Sequence, residues 1–205
     1  MRDVVDELIW DEAPKQASAV AVFDAPELVA DALTLTPDVR VFCDDWRDAS
    51  LVDPDLLVEH PDDLHGVDVA LSRLPKSLAA LDEQAAAVQG APDVTFVGGA
   101  RIKHLNRSMN EVLNKHFTAV AASLGRSKSR VLRAWGPENQ ESDWPKVRMH
   151  EDFGFAVAAH GYTFGGTKID PDSHVRLAHP TMNSGAQLLR RGVDWQYEVQ
   201  DNGWR

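Results

Sequence analysis

The strongest constraint on the fold is an alternation of short apolar runs, rich in β-branched residues, with amphipathic stretches. The runs have the length of buried strands, and they lie at 19–23, 39–43, 56–58, 67–71 and 94–97. Helical spacing and capping signals predict helices over 4–10, 26–35 and 78–88. Strands that alternate with helices in this way predict right-handed crossovers and a mostly parallel sheet. We therefore predict a doubly wound, Rossmann-like α/β fold with helices on both faces.

The second half of the chain predicts fewer regular elements. Residues 101–124 predict one long helix, and residues 131–135 predict a late strand. Residues 153–166 predict a pair of short strands around His160-Gly161. In the tail, only 194–199 has the pattern of a strand.

Composition and length predict one principal domain with an appendage. The chain has 205 residues, of which 43% are hydrophobic and 26% charged, and this composition excludes a disordered or collagen-like protein. A single cysteine, Cys43, excludes an internal disulfide framework. No apolar run is long enough to cross a bilayer and the N-terminal residues are acidic, so we expect a soluble, cytoplasmic protein. We assign 1–150 to the α/β domain and 151–205 to a C-terminal hairpin and linker-like segment.

Charge is distributed unevenly, although the formal net charge is −11. Residues 1–100 hold 6 Lys/Arg and 21 Asp/Glu, whereas residues 101–150 hold 10 and 4. This concentration of cations predicts one face that binds a polyanion. A merely solvated helix face is the alternative explanation for the first cations of this segment.

Eight cations are candidate phosphate ligands because they lie where a predicted strand ends, where a predicted helix begins, or on the late strand. They are Lys76, Arg101, Lys103, Arg107, Arg126, Lys128, Arg130 and Arg133. At the start of the predicted helix, side-chain charge and helix dipole attract phosphate together. The predicted strand places the cations of 126–133 in one row on the same side. Such contacts position a nucleic acid without identifying its sequence.

Five segments carry a resemblance to a known family by their order and spacing: 6–9, 74–84, 98–101, 129–132 and 165–171. Together they resemble the N-terminal domain of two-domain bacterial ribosomal RNA guanine-N2 methyltransferases, in the methyltransferase small-domain family. The resemblance covers roughly residues 3–175.

This resemblance implies a duplicated methyltransferase fold. In such enzymes the C-terminal copy binds S-adenosylmethionine and transfers the methyl group, whereas the N-terminal copy supports folding and holds RNA. For this chain it implies RNA binding and scaffolding, with ribosomal RNA and a C-terminal catalytic domain as partners. S-adenosylmethionine is expected in that catalytic domain, which these residues do not include, so the chain alone is expected to be inactive.

The residues depart from a catalytic methyltransferase at both places where chemistry is expected. The turn at 24–27 contains no glycine, so its backbone cannot closely approach a cofactor. Amino-group methyltransferases carry Asn/Asp-Pro-Pro-aromatic where this chain has Ser-Arg-Leu-Pro, at 72–75. We therefore expect a degenerate cofactor site and no catalytic or cofactor-binding residue in this chain.

The remaining candidate residues favour structural roles. Asp44 and Asp45 lie where related folds bind ribose, but a vestigial or capping role is favoured. Cys43 fits a small buried hydrophobic residue better than a nucleophile. Gly98-Gly99 fits a tight strand-to-helix turn better than a phosphate loop, because no Lys-Ser/Thr follows. No metal site is expected, since metal-ligand spacing is lacking in the histidines, His150, His160, His174 and His179.

Two other functions stay open at this point. A protein-interaction or dimerisation module would use the acidic half of the chain to bind a basic partner. A small-molecule enzyme on the same scaffold would use Asp44 or the histidines.

Overall fold

The computed structural model describes residues 2–152, 154–169, 186–191 and 194–199. The chain divides into two compact units, Met1–Ser142 and Asp143–Arg205, whereas the sequence had placed the division after residue 150. No helix among the described residues is long and apolar enough to span a membrane.

The first unit contains six strands and five α-helices. The strands are β1 (Val20–Phe23), β2 (Val39–Phe42), β3 (Val69–Arg73), β4 (Thr95–Arg101), β5 (Phe117–Ala122) and β6 (Ser129–Pro137). The helices are α1 (Val4–Glu12), α2 (Val29–Leu35), α3 (Trp46–Ala49), α4 (Leu78–Ala87) and α5 (Arg107–His116). Short 3₁₀ helices lie at Pro26–Leu28, Pro54–Leu56, Pro61–Leu64 and Ile102–His104.

The six strands form one sheet in the order β2-β1-β3-β4-β6-β5. The first four are parallel, and β6 is antiparallel to both β4 and β5. This topology confirms the predicted doubly wound α/β fold. The parallel strands all end at one edge of the sheet, which we call the carboxyl edge, and ligand sites in such sheets lie there.

Side chains of successive strand residues enter two separate cores. In β1, Val20 and Val22 pack with α1 and α2, whereas Phe23 packs with α4 and α5 on the other face. Residues of β1 are 0% exposed, so both faces of this strand are covered. A strand buried on both sides reads as a continuous apolar run, and for this reason the sequence pattern identified it.

Helix α1 is fixed at its start by a side-chain cap and along its length by an apolar face. The Asp3 carboxylate accepts a hydrogen bond of 2.7 Å from the Val5 N–H. Leu8 and Ile9 are buried in the core that α1 shares with α2. The acids of the helix therefore lie on its remaining surface, with the exception of Asp6, which is buried.

The predicted helix over 101–124 is wrong. Helix α5 has 10 residues, and the chain then enters β5. Phe117 is 1% exposed and its ring lies 6.2 Å from that of Phe96, while the rest of β5 pairs with β6. Long-range pairing and burial therefore determine the conformation of this segment. Its local sequence pattern predicts a helix and does not determine the fold here.

Gly98 and Gly99 lie inside β4, so the predicted strand-to-helix turn is also wrong there. A Cβ on Gly98 would lie 2.4 Å from Leu74 Cδ2, and a Cβ on Gly99 would lie 2.6 Å from Ile9 Cγ1. Each glycine thus lets a side chain from one face approach the strand backbone closely.

Two smaller predictions in the first unit need correction. Residues 56–58 form no strand, since Leu57 makes only an isolated bridge to Val41. The sequence predicts Asp24 as the capping acid of the helix over 26–35, but Asp24 does not cap it. Its carboxylate accepts a hydrogen bond of 2.8 Å from the Asp44 N–H instead.

The second unit contains two antiparallel hairpins. In the first, β7 (Lys146–His150) pairs with β8 (Phe155–Ala159), so the partner of β8 lies before it and not after His160-Gly161, as the sequence had predicted. In the second, β9 (Ala186–Arg191) pairs with β10 (Asp194–Val199). The predicted strand at 194–199 is confirmed, but it is not the only strand of the tail.

Candidate nucleic-acid interface

Three segments that carry predicted phosphate ligands meet at the carboxyl edge. Lys76 follows β3, Lys103 follows β4, and Lys128 precedes β6. The Ile102 N–H donates a hydrogen bond of 2.8 Å to the carbonyl oxygen of Lys128, and the Leu74 N–H donates one of 2.9 Å to Gly99. The backbone therefore ties these segments to one another.

Strands β5 and β6 are joined by a tight turn at this edge. Arg126 and Ser129 exchange two backbone hydrogen bonds of 2.9 Å each. Between them, Ser127 and Lys128 have φ values of 48° and 58°, as in a type I′ hairpin turn.

The turn corrects the predicted row of four cations. Arg126 and Lys128 lie in the turn and not on a strand, so only Arg130 and Arg133 belong to β6. Arg133 is three positions beyond Arg130, and side chains of a strand alternate, so the two side chains lie on opposite faces of the sheet. Arg133 accordingly lies on the face of α1, where it contacts Glu12.

Helix α1 supplies acids to three of the predicted phosphate ligands. Arg101 binds Asp3 at 2.9 Å. Arg126 binds Asp11 at 2.9 Å, and Arg133 binds Glu12 at 3.5 Å. These arginines are partly exposed, but their charge is offset within the protein. The sequence did contain a signal for this arrangement, since acids at 3, 7 and 11 recur at the spacing of one helix face.

Four predicted ligands are exposed and have no ion pair with any described residue: Lys76, Lys103, Lys128 and Arg130. Arg107 begins α5, is 92% exposed, and has only an exposed contact of 3.3 Å to Glu111. Solvent screens such a contact strongly. We call these five residues the edge cations.

At the end of β3, polar side chains form hydrogen bonds and an ion pair within the domain. An amino-group methyltransferase would hold its target amine at this position. Ser72 donates a hydrogen bond of 2.9 Å to Gln84, and both residues are buried. Arg73 binds the carboxylate of Asp6 through two nitrogens. Leu74 packs against Gly98. Each of these side chains therefore stabilises the domain.

The position after β2, where related folds bind ribose, serves the start of α3. The Asp45 carboxylate accepts a hydrogen bond of 2.9 Å from the Arg47 N–H, which is the capping role favoured by the sequence. Hydrogen bonds from the Arg47 side chain and backbone lower the pKa of Asp45 to about 2. Asp45 is thus a charged helix cap at neutral pH.

Cys43 lies just beyond β2 and has the properties of a protonated thiol. Burial, together with the carboxylates of Asp24 and Asp48, raises its pKa to about 12. A thiol with this pKa is a poor nucleophile at neutral pH.

Metal-ligating side chains do not cluster within the described ranges, where no group of three or more His, Cys, Asp or Glu has a suitable arrangement. The His150 ring nitrogen lies 2.8 Å from the carbonyl oxygen of Thr167. His174 and His179 lie outside the described residues.

A groove of about 740 Å³ lies at the opposite edge of the sheet, among residues that precede β3 and β4 or follow β6. Its lining includes Asp62, His65, Gln89 and Glu141. The edge cations take no part in it.

Comparison with known proteins finds a matching family and similar curated proteins. Residues 50–138 match the family described as "RLMG N-terminal domain". The chain is 33% identical over 122 residues to ribosomal RNA large subunit methyltransferase G of Pseudomonas entomophila, covering 58% of this chain and 33% of the relative. It is 44% identical over 116 residues to that of Pseudomonas putida strain F1, covering 55% and 31%.

A solved structure confirms the fold class. The Thermus thermophilus 16S rRNA N2 G1207 methyltransferase RsmC, in complex with AdoMet and guanosine, aligns with a TM-score of 0.53 at 15% identity, over 86% of this chain and 51% of that one. The chain spans about one third of the length of the curated relatives it matches. The family match and the curated relatives confirm the resemblance seen in the sequence: residues 50–138 are similar to the N-terminal domain of ribosomal RNA large subunit methyltransferase G.

Proposed function

We propose that the chain is the non-catalytic N-terminal domain of a ribosomal RNA guanine-N2 methyltransferase, and that it holds RNA while a second domain transfers the methyl group. In this proposal S-adenosylmethionine binds in the second domain. The names of the relatives support ribosomal RNA as the substrate, and the fold shared with RsmC supports methyl transfer to a guanine amine.

One observation carries the proposal: at the carboxyl edge, the side chains at the position for a target amine are already hydrogen-bonded, and the exposed edge cations lie nearby, of which only Arg107 has an ion pair among the described residues. Ser72 and Arg73 make their hydrogen bonds within the domain. The edge cations lie around this position, with Lys76 only three residues beyond Arg73. An edge of this kind has charge for phosphate but lacks free groups to hold a reacting amine.

The α1 acids divide the eight predicted ligands into two classes. The edge cations are proposed to contact phosphate directly. Arg101, Arg126 and Arg133 are proposed to contribute less, because an ion pair with α1 must be loosened before phosphate can compete.

Fluorescence anisotropy with fragments of ribosomal RNA tests the proposal. The variant Lys103→Glu/Lys128→Glu is compared with Lys15→Glu/Lys115→Glu, which makes the same change in net charge away from the carboxyl edge. We expect saturable binding to weaken at least ~10-fold in the first variant and no more than ~3-fold in the second. Lack of saturable binding by the unmodified chain at low salt would refute the proposal.

A second candidate, a module that binds a basic protein segment, is favoured by exposed apolar residues within an acidic stretch. Residues 44–63 contain eight acids and one cation, and Trp46 and Leu51 are 75% and 67% exposed. Trp46→Ala/Leu51→Ala separates the two candidates, since it leaves the edge cations intact. Binding of a lysine-rich peptide that this variant abolishes, without RNA binding, would select the second candidate.

A further inference from the structure

We infer that the edge cations hold double-helical RNA, with the β5–β6 turn placed in the minor groove of the duplex. The inference rests on the proposed function and specifies the class of RNA that the same surface binds.

The part of the carboxyl edge that holds the edge cations, from β3 to β6, lacks the rings that single-stranded RNA requires, and the exposed Trp46 lies at the far end of this edge, after β2. Proteins that hold single strands stack successive bases on aromatic side chains. Between residues 76 and 134 the phenylalanines are Phe96 and Phe117, which are 0% and 1% exposed. His104 supplies one exposed ring, and Trp135 lies near the opposite edge, paired with Thr95. The described residues around the edge cations therefore present charge without a stacking surface.

The β5–β6 turn has a shape that suits a wide, shallow groove. Residues 124–128 are all exposed, and Leu124 is 90% exposed. Gly125 leaves the base of the turn slender, with Ile102 and Arg130 as its neighbours. A-form RNA has a wide, shallow minor groove that displays 2′-hydroxyl groups, whereas its major groove is too narrow for side chains. A two-residue turn can enter the minor groove of A-form RNA but not its major groove.

The tip of the turn carries the groups that such a groove binds. The Lys128 ammonium has no ion pair among the described residues, and the Ser127 hydroxyl has no hydrogen bond there. The Ser127 carbonyl oxygen, in contrast, accepts hydrogen bonds from the Arg101 guanidinium, at 3.3 Å, and from the Ser129 hydroxyl. The free hydroxyl can therefore bond a 2′-hydroxyl while Lys128 binds the adjacent phosphates. A 2′-hydroxyl contact distinguishes RNA from DNA.

The other edge cations flank the turn and extend the contact along the backbone. Arg130 is the second residue of β6, and Lys103 and Arg107 follow β4. Because phosphate contacts carry no sequence information, this surface is expected to recognise the helical form of RNA and not its sequence.

The experiment compares three probes of one sequence with the complete chain: an RNA duplex of about 20 base pairs, one of its strands alone, and the corresponding DNA duplex. We expect the RNA duplex to bind at least ~5-fold more tightly than either other probe. Lys128→Asn removes the charge with a residue that tolerates positive φ. It should weaken duplex binding ~3-fold to ~10-fold and reduce the salt slope by about 1. Lys15→Gln, the control, should change neither value.

Three outcomes are distinguishable. Single-stranded RNA that binds as tightly as the duplex, or a DNA duplex that does so, overturns the inference and leaves the proposed function in place. Loss of the RNA preference in Ser127→Gly, which keeps the turn and removes the hydroxyl, supports the minor-groove contact. Failure of all three probes to bind overturns the proposed function itself.

Discussion

Asp6 and Arg73 lie 67 residues apart in the chain and form a bidentate ion pair that joins α1 to the end of β3. Asp6 is 0% exposed, whereas the Arg73 side chain is 35% exposed. Hydrogen bonds to Asp6 raise the pKa of Arg73 above its usual value, so the guanidinium is charged at every practical pH. The pair thus fixes α1 at the place where a catalytic relative would hold its target amine.

Removal of Asp6 should destabilise the domain strongly. Asp6→Ala leaves the Arg73 guanidinium half-buried without its counter-charge, and loss of one partner from a buried pair costs several kcal/mol. Because Arg73 retains access to water, we expect a loss of about 2–3 kcal/mol in the free energy of unfolding. Urea denaturation measures it.

The double variant Asp6→Ala/Arg73→Ala provides the control. It leaves no unpaired charge, so its loss should be smaller than the sum of the two single losses by about 1 kcal/mol or more. Additive losses would show that the two side chains stabilise the domain independently.

Gly99→Ala should destabilise the contact between α1 and the sheet. The added methyl group would lie 2.6 Å from Ile9 Cγ1 and 3.1 Å from Val5 Cγ1. Overpacking of this kind costs about 1–3 kcal/mol. Gly125→Ala is the matched control, because its nearest neighbour would be at an ordinary 3.5 Å. Equal melting temperatures for the two variants would contradict the prediction.

Neutralisation of the α1 acids should strengthen RNA binding. Glu7→Gln/Asp11→Asn/Glu12→Gln releases Arg126 and Arg133 from their ion pairs. We expect the affinity for RNA to rise about 5-fold at moderate salt, and the salt dependence to steepen by about 1 to 2 phosphate contacts. Anisotropy titrations at several salt concentrations give both quantities.

The control for this variant removes the same charge from exposed acids outside α1, as in Glu27→Gln/Asp55→Asn/Asp93→Asn. It should raise the affinity much less, because its effect acts only through the net charge. A similar rise in both variants would assign the effect to overall charge and not to the release of arginines.

The start of α1 should weaken in acid. The hydrogen bond from the Val5 N–H, assisted by Arg101, holds the pKa of Asp3 below its ordinary value of 3.8. A carboxylate with a lowered folded pKa stabilises the protein above pH 4, and this contribution disappears as the pH falls through the folded pKa. The difference in unfolding free energy between the unmodified chain and Asp3→Asn should therefore be largest above pH 5 and shrink below pH 3. A difference in unfolding free energy that grows as the pH falls would contradict the prediction.

The Cys43 thiol should react slowly in the folded protein. With a pKa of about 12, it is almost entirely protonated at pH 8. Alkylation by iodoacetamide should proceed at least ~100-fold more slowly in the native chain than in urea, where the pKa returns to its unperturbed value. Rapid labelling of the native chain would show that burial and the nearby carboxylates do not keep the thiol protonated.

Local patterns were sufficient to predict the four parallel strands of the sheet. Strand β1 begins at Val20, within one residue of the predicted start, because full burial on both faces requires an uninterrupted apolar run. The same logic failed at Gly98-Gly99. There the conformation depends on Leu74 and Ile9, which press on the strand from distant parts of the chain.

The hairpin that completes the sheet was missed because its turn has no strong sequence signal. A type I′ turn usually contains Asn-Gly or a similar pair, whereas this one is Ser127-Lys128. For the interface, composition identified which cations to consider. Composition could not show that Arg126 is ion-paired and Lys128 is not, because the acid that binds Arg126, Asp11, lies 115 residues away in the chain.

The attachment of α1 also sets an order of events during translation. Of the described helices α1 leaves the ribosome first, but its counter-charges at Arg73, Arg101 and Arg126 follow 67, 98 and 115 residues later. At ordinary rates of elongation the last of these emerges on the order of 10 s after the helix. Until then α1 lacks β6, one of the strands that its apolar face covers, and the nascent chain must keep the uncovered part of that face from aggregating. Helix α1 therefore completes its docking only after β6 has been made, although β3 and β4, which it also covers, precede β6 in the chain.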